Sequence, residues 1–243
     1  MDLPLIVSVL AWFVASFVTG LCGIGAAAIA TAIQITVLPV QTVVLVSCLT
    51  GLAAGLVMCF RYGRYCRWTT ALLMFAGTIP GSLAGLQILQ YAPATILEVF
   101  VGIMLIFCTA GMALFRNLRF LQEGTMASFL VGVAGGMLGT CVNIDGPVVA
   151  LYGLQAGWQP LVFLGTTSIY FFLRIVVTCT VQASAGLYTA EIVHYVQYCA
   201  PFAVLGLLLA MPVIRRINTQ TFRRVVQAVI LLAGILCLGR ALV

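Results

Sequence analysis

The sequence predicts an all-α integral membrane protein built from two homologous halves, and three observations lead there. Of its 243 residues 63% are apolar and 7% charged, where an ordinary soluble domain has roughly a quarter charged; the mean hydropathy is +1.21. Apolar runs of about 20 residues, the length that crosses a bilayer, follow one another from end to end. A glycine-broken apolar stretch, Ala15 to Ala28 with Gly20, Gly23 and Gly25, returns as Val131 to Pro147 with Gly136, Gly139 and Gly146.

In chain order, residues 3–36 form the first broken stretch, followed by apolar runs near 43–60, 69–89 and 95–115. Residues 126–155 form the second, followed by runs near 161–184, 192–214 and 220–240. The repeats are thus expected at 1–117 and 125–243. In each half the third stretch carries Pro-x-x-x-x-Gly, as Pro80 to Gly85 and Pro201 to Gly206. Asp2 without a basic region after it lacks the layout of a cleavable signal, so the first stretch is expected to be kept. Trp12, Trp68 and Trp158 are expected as interfacial anchors. Almost no residues remain for a soluble domain.

The net charge of +6 comes from eleven basic residues, all arginine, and ten of them sit at segment ends, which is a topology signal rather than a nucleic-acid patch. Arg61, Arg64 and Arg67, then Arg116 and Arg119, then Arg215, Arg216, Arg223 and Arg224 should share the cytoplasmic side. Between the second and third groups lie three apolar stretches, so one must fail to cross. The glycine-broken stretch fits that part: two arms of about 14 residues, each roughly 20 Å long, would enter, turn near the midplane and leave by the same face. If the first broken stretch does likewise, the halves are inverted repeats of three crossings each. The competing topology lets all eight stretches cross and leaves four arginines outside. Irregular backbone at that depth must be buried in protein or line a cavity, so the two breaks should meet tip to tip.

Arg174 is the one arginine inside an apolar run. A mid-membrane arginine is costly, so it faces protein or water, pairs and marks a pathway; its planar fork suits an oxyanion, and the plainer role is a structural ion pair with Asp145. Asp145, before Gly146 and Pro147, reads as the N-cap of an outgoing half-helix, or as a carboxylate that takes up a proton when an anion arrives. At the first break, the N–H groups around Gly23, Gly25, Ala26 and Ala27 open a helix and favour an anion. Gly139, Thr140, Asn143 and Gly146 are the corresponding candidates at the second. The plain alternative for the glycines is close helix packing. His194, beside Glu191, reads as an interface residue. Nine cysteines without C-x-x-C or neighbouring histidines read as packing residues.

Interrupted segments at matching places in two halves point to a transporter's binding site. A secondary carrier of a small anion, driven by protons or the anion's own gradient and working by alternating access, is the expected function, since no nucleotide-binding loop is visible. A passive anion channel, or a carrier of another small organic anion, is the alternative. One histidine, no H-E-x-x-H and no serine with a nearby base speak against an enzyme. No cofactor, metal or nucleic acid is expected; the partners are a small anion and the bilayer. A homodimer is compatible with apolar faces that look alike against lipid or a second protomer. The expected location is the cell membrane, a bacterial inner membrane.

The two broken segments, Arg61-Tyr-Gly-Arg64 followed by Trp68, Pro80-Gly81 with Gly85, and Gly146-Pro147 together resemble the TauE/SafE family of sulfite-exporter-like permeases over nearly the whole chain. The resemblance implies transport of small sulfur-containing anions such as sulfite or organosulfonates. The chain departs from the family pattern at both tips: Gly23-Ile-Gly25-Ala26-Ala27-Ala28 stands where three consecutive glycines are usual, and Asn143-Ile-Asp145 where glycines are expected. Altered tips are compatible with an altered ligand.

Overall fold

The computed structural model describes residues 3–22, 25–93, 95–97, 99, 103 and 123–213. Gly23, the stretch at 220–240, nearly all of that at 95–115 and the arginines at 116, 119, 215, 216, 223 and 224 lie outside the described residues. Within them every regular element is helical: α1 (Leu3–Cys22), α2 (Ala26–Gln34), α3 (Val40–Tyr62), a 3-10 turn (Gly63–Tyr65), α4 (Trp68–Tyr91), α5 (Thr125–Cys141), α6 (Gly146–Gln155), α7 (Pro160–Ser184) and α8 (Ala190–Val213). Five of these, α1, α3, α4, α7 and α8, are long and apolar enough to cross a membrane. The protein is a multi-pass integral membrane protein of the cell membrane. Prolines mark two starts: Pro39 precedes α3, and Pro160 opens α7, where a missing N–H costs nothing.

Both broken stretches break where expected, but not into equal arms. α1 has 20 residues and α2 has 9; α5 has 17 and α6 has 10. The reason is where left-handed backbone falls: Gly25 has φ 110° and Asn143 φ 55°, beyond the midpoints of their stretches. Trp12 is consequently mid-helix and 1% exposed, not the interfacial anchor expected of it. Trp68 is 56% exposed at the start of α4, as an anchor should be, and His194 is exposed near the start of α8, stacked edge-on against Tyr198.

Two glycine seams join the halves crosswise. A Cβ at Gly77 would overlap the carbonyl oxygen of Phe129, at Gly81 that of Val133, at Gly85 that of Met137, and at Gly132 that of Met74. α4 and α5 therefore touch backbone to backbone, as small residues allow in membranes. The same contact joins α1 to α8: a Cβ at Gly206 would overlap Phe13 O, and one at Gly20 would lie 2.5 Å from Ala210 Cβ. By its neighbours Gly206 corresponds to Gly77, since Phe13 and Phe129 stand at the same distance before Gly20 and Gly136. The two glycines of the repeated Pro-x-x-x-x-Gly make different contacts, Gly85 with Met137 O and Gly206 with Phe13 O.

The contacts also give directions. Along the α4–α5 seam both numbers rise together, so these helices run the same way, and so do α1 and α8. Gly51 meets Ile175, Gly55 meets Phe172 and Gly63 meets Ile169, so α3 and α7 run oppositely. α5 and α7 run the same way, since Gly135 meets Tyr170 and Gly139 meets Arg174. Between them α6 turns back: Ser128 and Tyr152 share a hydrogen bond of 2.8 Å, and Gly153 packs on Phe163. The apolar cluster around Val43 and Val44 holds Ala28 to Ala30 beside the first break together with Cys141, Val142 and Ile144 at the second.

Where α4 and α5 begin, Glu123 accepts a hydrogen bond from Thr70 Oγ1 at 2.6 Å and pairs with Arg67, beside an open cleft of about 450 Å3. Burial alone would raise the Glu123 carboxyl, but the Thr70 hydrogen bond and Arg67 hold it below the usual carboxylate range. A lowered folded value means the contribution is present above the ordinary carboxylate range and lost as pH falls through the lowered one. Thermal unfolding in detergent should therefore show a fall in midpoint on acidification that Glu123→Gln flattens; an unchanged acid profile in that variant would dismiss the clamp.

Candidate anion site at the second break

α7 carries Thr166, Tyr170, Arg174, Thr178 and Gln182 at intervals of four, each beside the next on a row that winds slowly around the helix. Thr166 accepts from Arg67 N at 3.0 Å, and the other four lie along α5. The glycines of α5 make room for them: a Cβ at Gly135 would overlap the Tyr170 hydroxyl, and at Gly139 it would lie 2.9 Å from Cδ, Nε and Cζ of Arg174. Thr178 and Thr140 share a hydrogen bond of 3.0 Å, and Gln182 Nε2 donates to Thr140 O at 3.2 Å. Tyr188 in turn donates to Gln182 Oε1 at 2.6 Å.

Arg174 is 2% and Asp145 3% exposed. Arg174 Nη2 donates to Asp145 Oδ1 at 3.0 Å, and Nε lies 2.9 Å from Oδ2. Nη1 donates to Asn143 Oδ1 at 3.2 Å and to Gly139 O at 3.4 Å. The pair is thus side-on, charge-balanced and gripped by the irregular turn between α5 and α6. Asp145 also stands before α6, its carbonyl accepting from Val148 N at 3.1 Å and Val149 N at 3.4 Å. Its carboxylate is turned to Arg174 instead of closing the end of α6.

Of the residues singled out in the sequence, Arg174, Asp145, Asn143, Gly139 and Thr140 come together here, and Gly146 opens α6 beside them. Gly25, Ala26 and Ala27 stand at the start of α2, partly exposed, with no side-chain cap on the helix; among the described residues no hydrogen bond links them to the Arg174 pair. Thr178, Gln182 and Tyr188 are not among the candidates from the sequence, although Thr178 and Gln182 follow Arg174 at steps of four, a visible signal in an apolar run. Cys48 of α3 reaches the same turn, its thiol 3.9 Å from Gly139 O. Among the described residues no group of His, Cys, Asp and Glu is arranged to hold a metal ion.

A buried guanidinium whose charge is matched by one carboxylate can exchange partners. If the carboxylate takes a proton, the fork is left to bind another planar or pyramidal anion in its place. The sulfite exporter TauE/SafE family matches the chain over residues 8–237. No curated protein and no solved structure matches it.

Proposed function

The chain belongs to the sulfite exporter TauE/SafE family, a family of membrane transporters, and from that premise we propose that it is a proton-coupled carrier of a small sulfur oxyanion such as sulfite or an organosulfonate. The buried Arg174–Asp145 pair carries this reading. While Asp145 is ionised it holds Arg174; protonated Asp145 releases the fork, and the anion takes the vacated face. Proton and anion then cross together.

An inverted arrangement of the halves is supported by the helix directions. α3 runs opposite to α7, its counterpart by order in the second half, while α1 runs with α8 and α4 with α5 and α7. A re-entrant second break is supported by α6, which retraces the path of α5 toward Ser128. Alternating access would then move two bodies held by the glycine seams, α1 with α8 and α4 with α5, with α3 and α7 between them. Rocking one sequence half against the other would tear both seams.

The test is labelled sulfite uptake into proteoliposomes with and without an imposed pH gradient. Wild type should show saturable uptake that the gradient accelerates, and Asp145→Asn should remove the acceleration. Flux without saturation or counterflow would make the protein a channel instead. Saturable uptake indifferent to the gradient in wild type would remove Asp145 from the coupling.

A further inference from the structure

The open cleft of about 450 Å3 where α4 and α5 begin lies outside the Arg174–Asp145 site and takes no part in the reading above. Arg67, Thr69, Thr70, Glu123, Thr125 and Ser128 line it, so one guanidinium and four hydroxyls meet one carboxylate. Its volume falls in the range of small-molecule sites and leaves room for a small ion with part of its water.

The backbone adds positive charge. α4 and α5 run the same way, so both present their N-termini here. Neither start is closed by a side chain: the residues before them, Arg67 and Gly124, make no capping hydrogen bond, and neither first turn carries an acidic residue. The N–H groups of a first turn have no partner within their helix and carry the positive end of its dipole. Arg61 and Arg64 stand on the connection that leads into α4, so three arginines face Glu123 alone. A cation would meet that surplus and find the carboxylate already engaged by Arg67 and Thr70. A small oxyanion meets donors instead.

Arg67 is held in a way that lets it change partner. Its backbone N–H donates to Thr166 Oγ1 of α7 at 3.0 Å, which fixes the main chain, while its side chain is 50% exposed. It meets Glu123 through Nη1, and a guanidinium has five N–H donors. An ion pair this exposed is worth about 0–1 kcal/mol, against several kcal/mol when one partner of a buried pair such as Arg174–Asp145 is lost. Glu123 also has somewhere to turn. Thr70 Oγ1 stays bonded to its Oε1, and the Trp158 indole Nε1, which acts on this carboxylate, is buried with no hydrogen-bond partner among the described residues.

We propose that this cleft is a capture site for a small oxyanion. Arg67 leaves Glu123 for the anion, Glu123 turns to Trp158 Nε1, and the hydroxyls of Thr69 and Thr125 with the free N–H groups of the two helix starts take the remaining oxygens. The site rests on the carrier reading above, naming where the anion waits before it reaches Arg174. Ser128, Gly135 and Gly139 share one face of α5: Ser128 lines the cleft and bonds Tyr152, Gly135 lies against the Tyr170 hydroxyl, and Gly139 lies against Arg174. The cleft thus opens onto the row that ends at Arg174, about 16 Å farther along α5. Because the pair that guards it is weak and exposed, the cleft exchanges anions readily, and the tighter Arg174 site draws from it.

The experiment titrates sulfite calorimetrically into the full chain in nanodiscs of neutral lipid and measures sulfite uptake by proteoliposomes in parallel. Arg67→Gln and Glu123→Gln break the same ion pair, so a merely structural pair would make them alike. A capture site makes them opposite. Arg67→Gln should weaken sulfite about tenfold, and Glu123→Gln, which removes the competitor, should tighten it about three- to fivefold. Trp158→Phe takes away the second partner of the carboxylate and should weaken sulfite about two- to threefold. Shifts of one sign in the first two variants, or no shift, would overturn the site. Opposite shifts that vanish when phosphatidylglycerol is added to the lipid would give the cleft to a lipid headgroup and overturn capture of the free anion. Opposite shifts with no uptake by wild type would keep the site and overturn the carrier. Saturable uptake with the same half-saturating sulfite in wild type and all three variants would leave the carrier standing and overturn the site.

Discussion

Arg174→Ala is expected to lose about 3–5 kcal/mol of stability, because it strands the Asp145 carboxylate in the interior. That is a large part of the roughly 5–15 kcal/mol that holds a typical domain together. Asp145→Ala should fare as badly, leaving the guanidinium with Asn143 and Gly139 O alone. Arg174→Gln with Asp145→Asn removes both charges and keeps polar groups beside the turn, so it should recover most of the loss despite carrying two changes. The readout is the unfolding midpoint of purified protein in detergent, with the double variant closing a thermodynamic cycle. Single variants as stable as wild type would mean that the pair is solvated and not a buried ion pair. A folded double variant that transports nothing would separate the pair's role in transport from its role in folding.

Among the described glycines, Gly132→Ala should be the most damaging single added methyl. Its Cβ would coincide with the Met74 carbonyl region, backbone that has no rotamer with which to escape. α4 and α5 would have to separate, and the expected loss exceeds the 1–3 kcal/mol usual for overpacking, reaching about 4 kcal/mol or more. Gly146→Ala is the matched control, since nothing lies within 4 Å of its added Cβ. Membrane-inserted, monodisperse protein should be scarce for the first and normal for the second. Equal yield and equal unfolding midpoints would show that the seam yields.

The sequence carried the helices and the breaks plainly, because apolar length and glycine are local signals. Arg174 and Asp145 stood out because charge in an apolar run has few explanations, and their pairing was among the roles expected. The crosswise seams were hidden: Gly77, Gly81 and Gly132 look the same whether they face lipid, their own half or the other. The unequal arms are not visible in the sequence, because no residue other than the left-handed Gly25 and Asn143 announces where a helix stops.

The crossed seams bear on how the chain is made. α1 emerges from the ribosome long before α8, the helix against which its Gly20 is pressed. α4 likewise waits for α5. The first half inserts with two of its closest surfaces uncovered, and lipid or an insertase must shield them until synthesis reaches the second. A truncated product ending near residue 117 would display both and be a natural substrate for membrane quality control. The same two halves expressed as separate polypeptides would find each other through those surfaces.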